Sequence, residues 1–93
     1  MMKEHARPDL TVPDLLDLLS LSEEQFKQRF AGTPILRTKR RGLLRNVCVA
    51  LGNSGQESAI PALKKAATDP EPLIAEHARW AIEQIPVATR APA

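Results

Sequence analysis

Five cations, Arg37, Lys39, Arg40, Arg41 and Arg45, fall within nine residues, and no carboxylate lies between residues 31 and 56 to neutralise them. Arginine presents a planar fork of N–H donors that matches a phosphate bidentately, and such contacts accumulate affinity by releasing condensed counterions. On an unbroken helix from about residue 37, Arg37, Arg41 and Arg45 step by four into one ridge, with Lys39 and Arg40 flanking it. Like charges so spaced weaken an isolated helix by roughly a few tenths of a kcal/mol per pair, so the block points to an outside anion or an acidic neighbour. Backbone phosphate is the natural anion. A solvated helix face is the competing reading, since no aromatic side chains are interleaved as in a typical single-strand reader.

Nothing else in the chain assembles into chemistry. There is no glycine-rich phosphate loop, no H-E-x-x-H and no C-x-x-C, so neither catalytic residues nor metal ligands are expected. His5 and His77 are isolated from each other. Cys48 is the single cysteine, which excludes an internal disulfide and any cysteine-built zinc or iron–sulfur site within these residues; on an apolar stripe it reads as a small core residue. The acid pairs Glu23 with Glu24 and Glu71 with Glu76 fit helix starts or solvated faces. His77 lies one turn from Trp80 and reads either as a boundary histidine bonded to backbone or as a contact to a partner. Trp80 sits off the central stripe of its helix, at a seam or on a docking surface.

The elements that must position the basic block are helical. At 93 residues the chain holds about one domain, and 43% hydrophobic with 26% charged residues is the mixture of a soluble globular chain. Aromatics are 3%, tyrosine is absent, and the apolar stock is mostly Leu and Ala, which favours helix over strand. No apolar run nears the roughly 18 residues of a membrane span, and the charged start is unlike a signal peptide. With one cysteine, a reducing, cytoplasmic setting is expected. The net charge of +2 conceals the basic block between two slightly acidic ends.

Thr11 with Asp14 caps a first helix carrying Leu15, Leu16, Leu18 and Leu19. Ser22 with Gln25 forms a capping box for a second, on which Phe26 and Phe30 share a face before Gly32 stops it. Leu44, Val47, Cys48 and Leu51 mark an amphipathic helix from about Thr38 to Gly52. A shorter helix from Ser58 to about Ala67 should turn Ile60, Leu63 and Ala67 inward. A last one, ending near Ile85, should bury Ile74, Ala78, Ala81, Ile82 and Ile85. Placing Leu43–Gly52 over Ile74–Glu83, an offset of 31, sets Val47 on Ala78, Ala50 on Ala81 and Leu51 on Ile82. Helix pairs recurring at such a period mark an α-solenoid. The expected architecture is all-α: a short HEAT-like α-solenoid of about five helices with an N-terminal helical hairpin. Residues 1–10 read as a flexible leader or linker stump, 11–86 as the helical domain and 87–93 as a disordered tail.

The run from Phe30 through Gly32-Thr33-Pro34-Ile35, then Arg40-Arg41-Gly42-Leu43-Leu44-Arg45-Asn46-Val47 and on to Asn53, closely resembles the start of the C-terminal helical region of epoxyqueuosine reductases. Glu76-His77-Ala78-Arg79-Trp80-Ala81 is similar to that family's HEAT-like tail. These are cobalamin-dependent iron–sulfur enzymes that complete queuosine in the tRNA anticodon loop. The resemblance implies that the 4Fe-4S clusters, cobalamin pocket and catalytic domain lie upstream of this region, that no cofactor is held here, and that this part is not an enzyme on its own. It implies two partners, tRNA and the catalytic domain of the same enzyme, and no membrane. Arg37, Lys39, Arg40, Arg41 and Arg45 would then meet RNA phosphate, while Asn46, His77 and Arg79 would contact RNA or the neighbouring domain. The alternative is a HEAT-like protein-interaction or structural module that binds no nucleic acid.

Overall fold

In the computed structural model the chain is described from residue 10 to residue 86, so the expected tail and all but the last residue of the expected leader lie outside the described residues. Five helices succeed one another: α1 (Val12–Leu19), α2 (Glu23–Phe30), α3 (Ile35–Ser54), α4 (Ile60–Ala66) and α5 (Pro72–Gln84), with a 3₁₀ turn, Glu57–Ala59, leading into α4. The fold is all-α, with no strand among the described residues. No described helix is long and apolar enough to cross a membrane.

The starts of the first two helices obey the capping chemistry. Thr11 and Asp14 exchange side chain–backbone hydrogen bonds of 2.9 and 3.3 Å, and Ser22 and Gln25 do the same at 2.9 and 3.1 Å, so orphan N–H groups of each first turn are satisfied locally. Gly32 comes just after α2 at φ 77° and Gly55 ends α3 at φ 70°, conformations open to glycine without a Cβ clash. At α5, Pro72 takes the first turn and the Glu71 carboxylate accepts from the Leu73 N–H.

One shared core is built from Leu19 of α1, Leu44, Val47, Cys48 and Leu51 of α3, Leu63 and Ala66 of α4, and Ile74, Ala78 and Ala81 of α5, closed by Ala59 and Ile85. Full burial of a Leu or Ile is worth about 1.5–3 kcal/mol each. Leu63 is buried as expected and Ile60 and Ala67 pack, partly buried, against the core; Ala59 in the 3₁₀ turn and Ala66 are buried beside them. Ile82 packs at the core's edge. The expected N-terminal hairpin is also modified: α1 and α2 each pack chiefly on α3 and are tied to one another by an exposed Arg29–Asp17 ion pair of 2.9 Å.

The long helices α3 and α5 lie side by side and run in the same direction. Arg40 at the start of one meets Asp69 just before the other, 29 residues on, and Gly52 meets Ala81, the same 29 residues on. That spacing is close to the 31-residue offset of the sequence repeat. The two helices that the repeat aligns are thus neighbours, with α4 connecting them.

Candidate nucleic-acid interface

The basic block opens α3, and the helix breaks inside it. Lys39 has φ 68° and ψ 156°, a region populated almost solely by glycine. The next residue accounts for the break: the Arg40 guanidinium turns inward, where Nε donates to the Leu21 carbonyl at 2.7 Å and Nη1 to Asp69 Oδ1 at 3.3 Å, with a shorter contact from Nη2 to Asp69 Oδ2. Both side chains of the ion pair are 12% exposed. Asp69 also accepts from the Glu71 N–H at 2.9 Å. Its carboxyl is held below the usual carboxylate value, first by the Arg40 hydrogen bond and then, against the opposing effect of burial, by the Glu71 N–H and the Arg40 charge.

Two expectations are corrected by this geometry. The single ridge from an unbroken helix does not form, because Arg37 sits in a separate turn before Lys39, while Arg41 and Arg45 keep their four-residue step on the regular part of α3. Arg40 does not flank that ridge at the surface; it is a strut joining the α1–α2 connection to the start of α5. Its neutralising carboxylate comes from Asp69, outside the acid-free segment.

Arg37, Lys39, Arg41 and Arg45 are exposed, and among the described residues none has a side-chain hydrogen bond or ion pair. Lys39 and Arg41 share a depression of about 300 Å³ with Leu36 and with Lys27 of α2, a cation that the sequence block did not include; Glu23 and Glu71 line the same depression. Asn46 is exposed beside Arg45.

A second feature lies farther along the α3–α5 pair. Trp80 is 38% exposed. One edge of its ring rests where Gly52 lacks a side chain, since a Cβ there would stand 2.9 Å from Trp80 Cζ3. Val49, Glu76, His77 and Trp80 line an open pocket of about 350 Å³. His77 is half-buried, with Nδ1 2.8 Å from the Leu73 carbonyl one turn back; a carbonyl only accepts, so Nδ1 carries the proton. Arg79 Nη1 donates to the Ala67 carbonyl at 3.3 Å, joining α5 to the end of α4.

Cys48 is sealed in the core at 0% exposure, and burial, then the Asp69 charge, pushes its thiol up to about 11. No three His, Cys, Asp or Glu side chains gather as a metal site among the described residues. Iron–sulfur clusters need several thiolates, so the described residues do not fit such a group.

The sequence is similar to that of epoxyqueuosine reductases: 40% identical over 80 residues in Xanthomonas campestris, 42% over 78 in Salmonella typhimurium and 37% over 78 in Escherichia coli. These matches take in 84–85% of this chain and 20–22% of the relatives. No family model and no solved structure matches. The chain thus shares its sequence with one part of the epoxyqueuosine reductases and spans about a fifth of the length of the curated relatives it matches.

Proposed function

We propose that the chain is the C-terminal, HEAT-like helical part of an epoxyqueuosine reductase, that it docks tRNA through backbone phosphates, and that it packs against the catalytic domain, which holds the iron–sulfur clusters and cobalamin. On this reading the described helices position substrate and the reduction happens elsewhere. The observation that carries it is the division within the basic block: Arg40 is taken up by Asp69, while Arg37, Lys39, Arg41 and Arg45 stay exposed and unpaired. Glu23 and Glu71 lie in the depression beside Lys39 and Arg41 without pairing with them, so a cluster of exposed cations at one helix start favours a polyanion, and contacts to phosphate would place the RNA without reading its sequence.

The test is a titration of labelled tRNA with the chain. Binding that weakens steeply with salt is expected, as is a loss of about tenfold or more when Arg41 and Arg45 are both changed to Glu. Unaltered affinity in that double variant removes the reading. The protein-interaction alternative rests on Ile35 and Leu36, exposed at 39% and 37% beside the break. It predicts no RNA binding, and association with the catalytic domain supplied in trans that Leu36→Asp abolishes.

A further inference from the structure

We propose that an unpaired base of the bound RNA stacks on Trp80, in the pocket that Val49, Glu76 and His77 complete. The inference rests on the RNA-docking reading and extends it to a second, base-holding subsite. The aromatic residues of the chain divide sharply. Phe26 is 2% exposed and Phe30 packs on it with ring centroids 5.2 Å apart, whereas Trp80 presents ring surface to solvent over an open pocket.

The ring is also held in place. Gly52 lets it settle against α3, and the lack of any side chain at residue 52 is what allows that approach. A fixed, half-exposed indole is a low-entropy stacking platform, because little freedom remains to be lost on binding.

Position and charge identify the occupant. Arg41, Arg45 and Val49 succeed one another at four-residue steps on the regular part of α3, so they share a face. Arg45 lies about 6 Å and Arg41 about 12 Å along the axis from Val49, a row of cations leading to the pocket wall. Glu76 in that wall accepts hydrogen bonds and repels phosphate. The pocket therefore suits the donor-bearing edge and flat face of a base, while the arginine row suits the phosphates beside it. A fully paired duplex keeps its bases stacked on each other and leaves Trp80 untouched.

Trp80 is the chain's only tryptophan and tyrosine is absent, so emission from the unmodified chain reports this pocket alone. End-labelled oligocytidylate of about ten nucleotides, and an RNA duplex of equal length, are each titrated with the chain while label anisotropy and tryptophan emission are monitored together. The single strand should quench Trp80 in step with the anisotropy rise, and the duplex should bind without quenching. Trp80→Ala should weaken single-strand binding by roughly tenfold without changing duplex binding, and Trp80→Phe should keep most of the affinity. Single-strand binding that leaves Trp80 emission unchanged overturns the stacking site while sparing the phosphate reading. If neither RNA raises the anisotropy, the phosphate reading falls and the stacking site with it.

Discussion

Lys39 and Arg40 show how one local conflict organises the start of α3. Helical backbone at residue 39 would keep α3 regular; the bonds of Arg40 to Leu21 and Asp69 hold the chain in a strained conformation instead. Strain of this kind costs on the order of 1–3 kcal/mol for a residue with a Cβ. Lys39→Gly should therefore raise stability by about 1 kcal/mol after the entropy that glycine adds to the unfolded chain. Lys39→Ala, which loses the same charge and keeps the Cβ, should leave the urea midpoint nearly unchanged. The ion pair itself is testable by pH. Asp69 titrates below its ordinary value in the folded chain, so its contribution is present above the unfolded value of about 3.9 and is lost as pH falls through the lower, folded value. Asp69→Asn should cost about 2 kcal/mol at pH 7, the size of a lost hydrogen bond to a charged group. Urea unfolding from neutral pH down through the carboxylate range should show a shallower decline for that variant than for the native chain. Asp14, whose carboxyl is lowered by Thr11, titrates in both proteins and cancels in the comparison.

The helices were legible where their signals are local. The Thr11–Asp14 and Ser22–Gln25 boxes, and the stripe from Leu44 to Leu51, need only neighbours three or four residues away, and each lies where its spacing placed it. Periodicity missed the 3₁₀ turn at Glu57–Ala59, too short to carry a stripe, and the break at Lys39 beside Arg40, whose partners Leu21 and Asp69 are distant in sequence. Close approach of α3 and α5 is of the same kind, and two glycines of α3 separate its effects. A Cβ on Gly52 would meet Trp80 Cζ3 at 2.9 Å and the Ala81 Cα at 3.0 Å. Gly52→Ala must push a helix backbone aside, and it should destabilise by about 1–3 kcal/mol despite the better helix propensity of alanine. At Gly42 the conflict is with the Thr38 methyl at 2.9 Å, a side chain on the exposed turn before the break. Its displacement costs less, so Gly42→Ala should be neutral or stabilising by up to about 1 kcal/mol. Thermal unfolding should show a lowered midpoint for Gly52→Ala and an unchanged or raised one for Gly42→Ala if packing at residue 52 sets the α3–α5 distance.

At the scale of the whole molecule, the candidate interface was only partly legible because charge density in sequence is not charge available in space. Five cations without a nearby carboxylate implied five free donors, yet Asp69 reaches back 29 residues to take Arg40, while Lys27 approaches from α2. The pocket around Trp80 was less legible still: Val49 and Trp80 are joined only by the lateral packing of two helices whose relation the repeat suggests but does not place. The four cations of the block that stay exposed have a thermodynamic consequence. Affinity for RNA falls with the logarithm of salt concentration at a slope of about −0.7 to −0.9 for each phosphate neutralised. If Arg37, Lys39, Arg41 and Arg45 each neutralise one, the slope should lie near −3. Changing Arg41 and Arg45 to Gln should roughly halve it, since two of the four contacts are removed. Arg40→Gln should lower stability through the lost ion pair yet leave the slope of the folded fraction unchanged, because that guanidinium is already engaged by Asp69. A slope that drops for Arg40→Gln as much as for Arg41→Gln would mean that the strut opens on RNA and that Arg40 joins the phosphate contacts. A shared slope for the native chain and the Arg40 variant, measured with stability checked at each salt concentration, assigns Arg40 to the fold and the other four cations to the ligand.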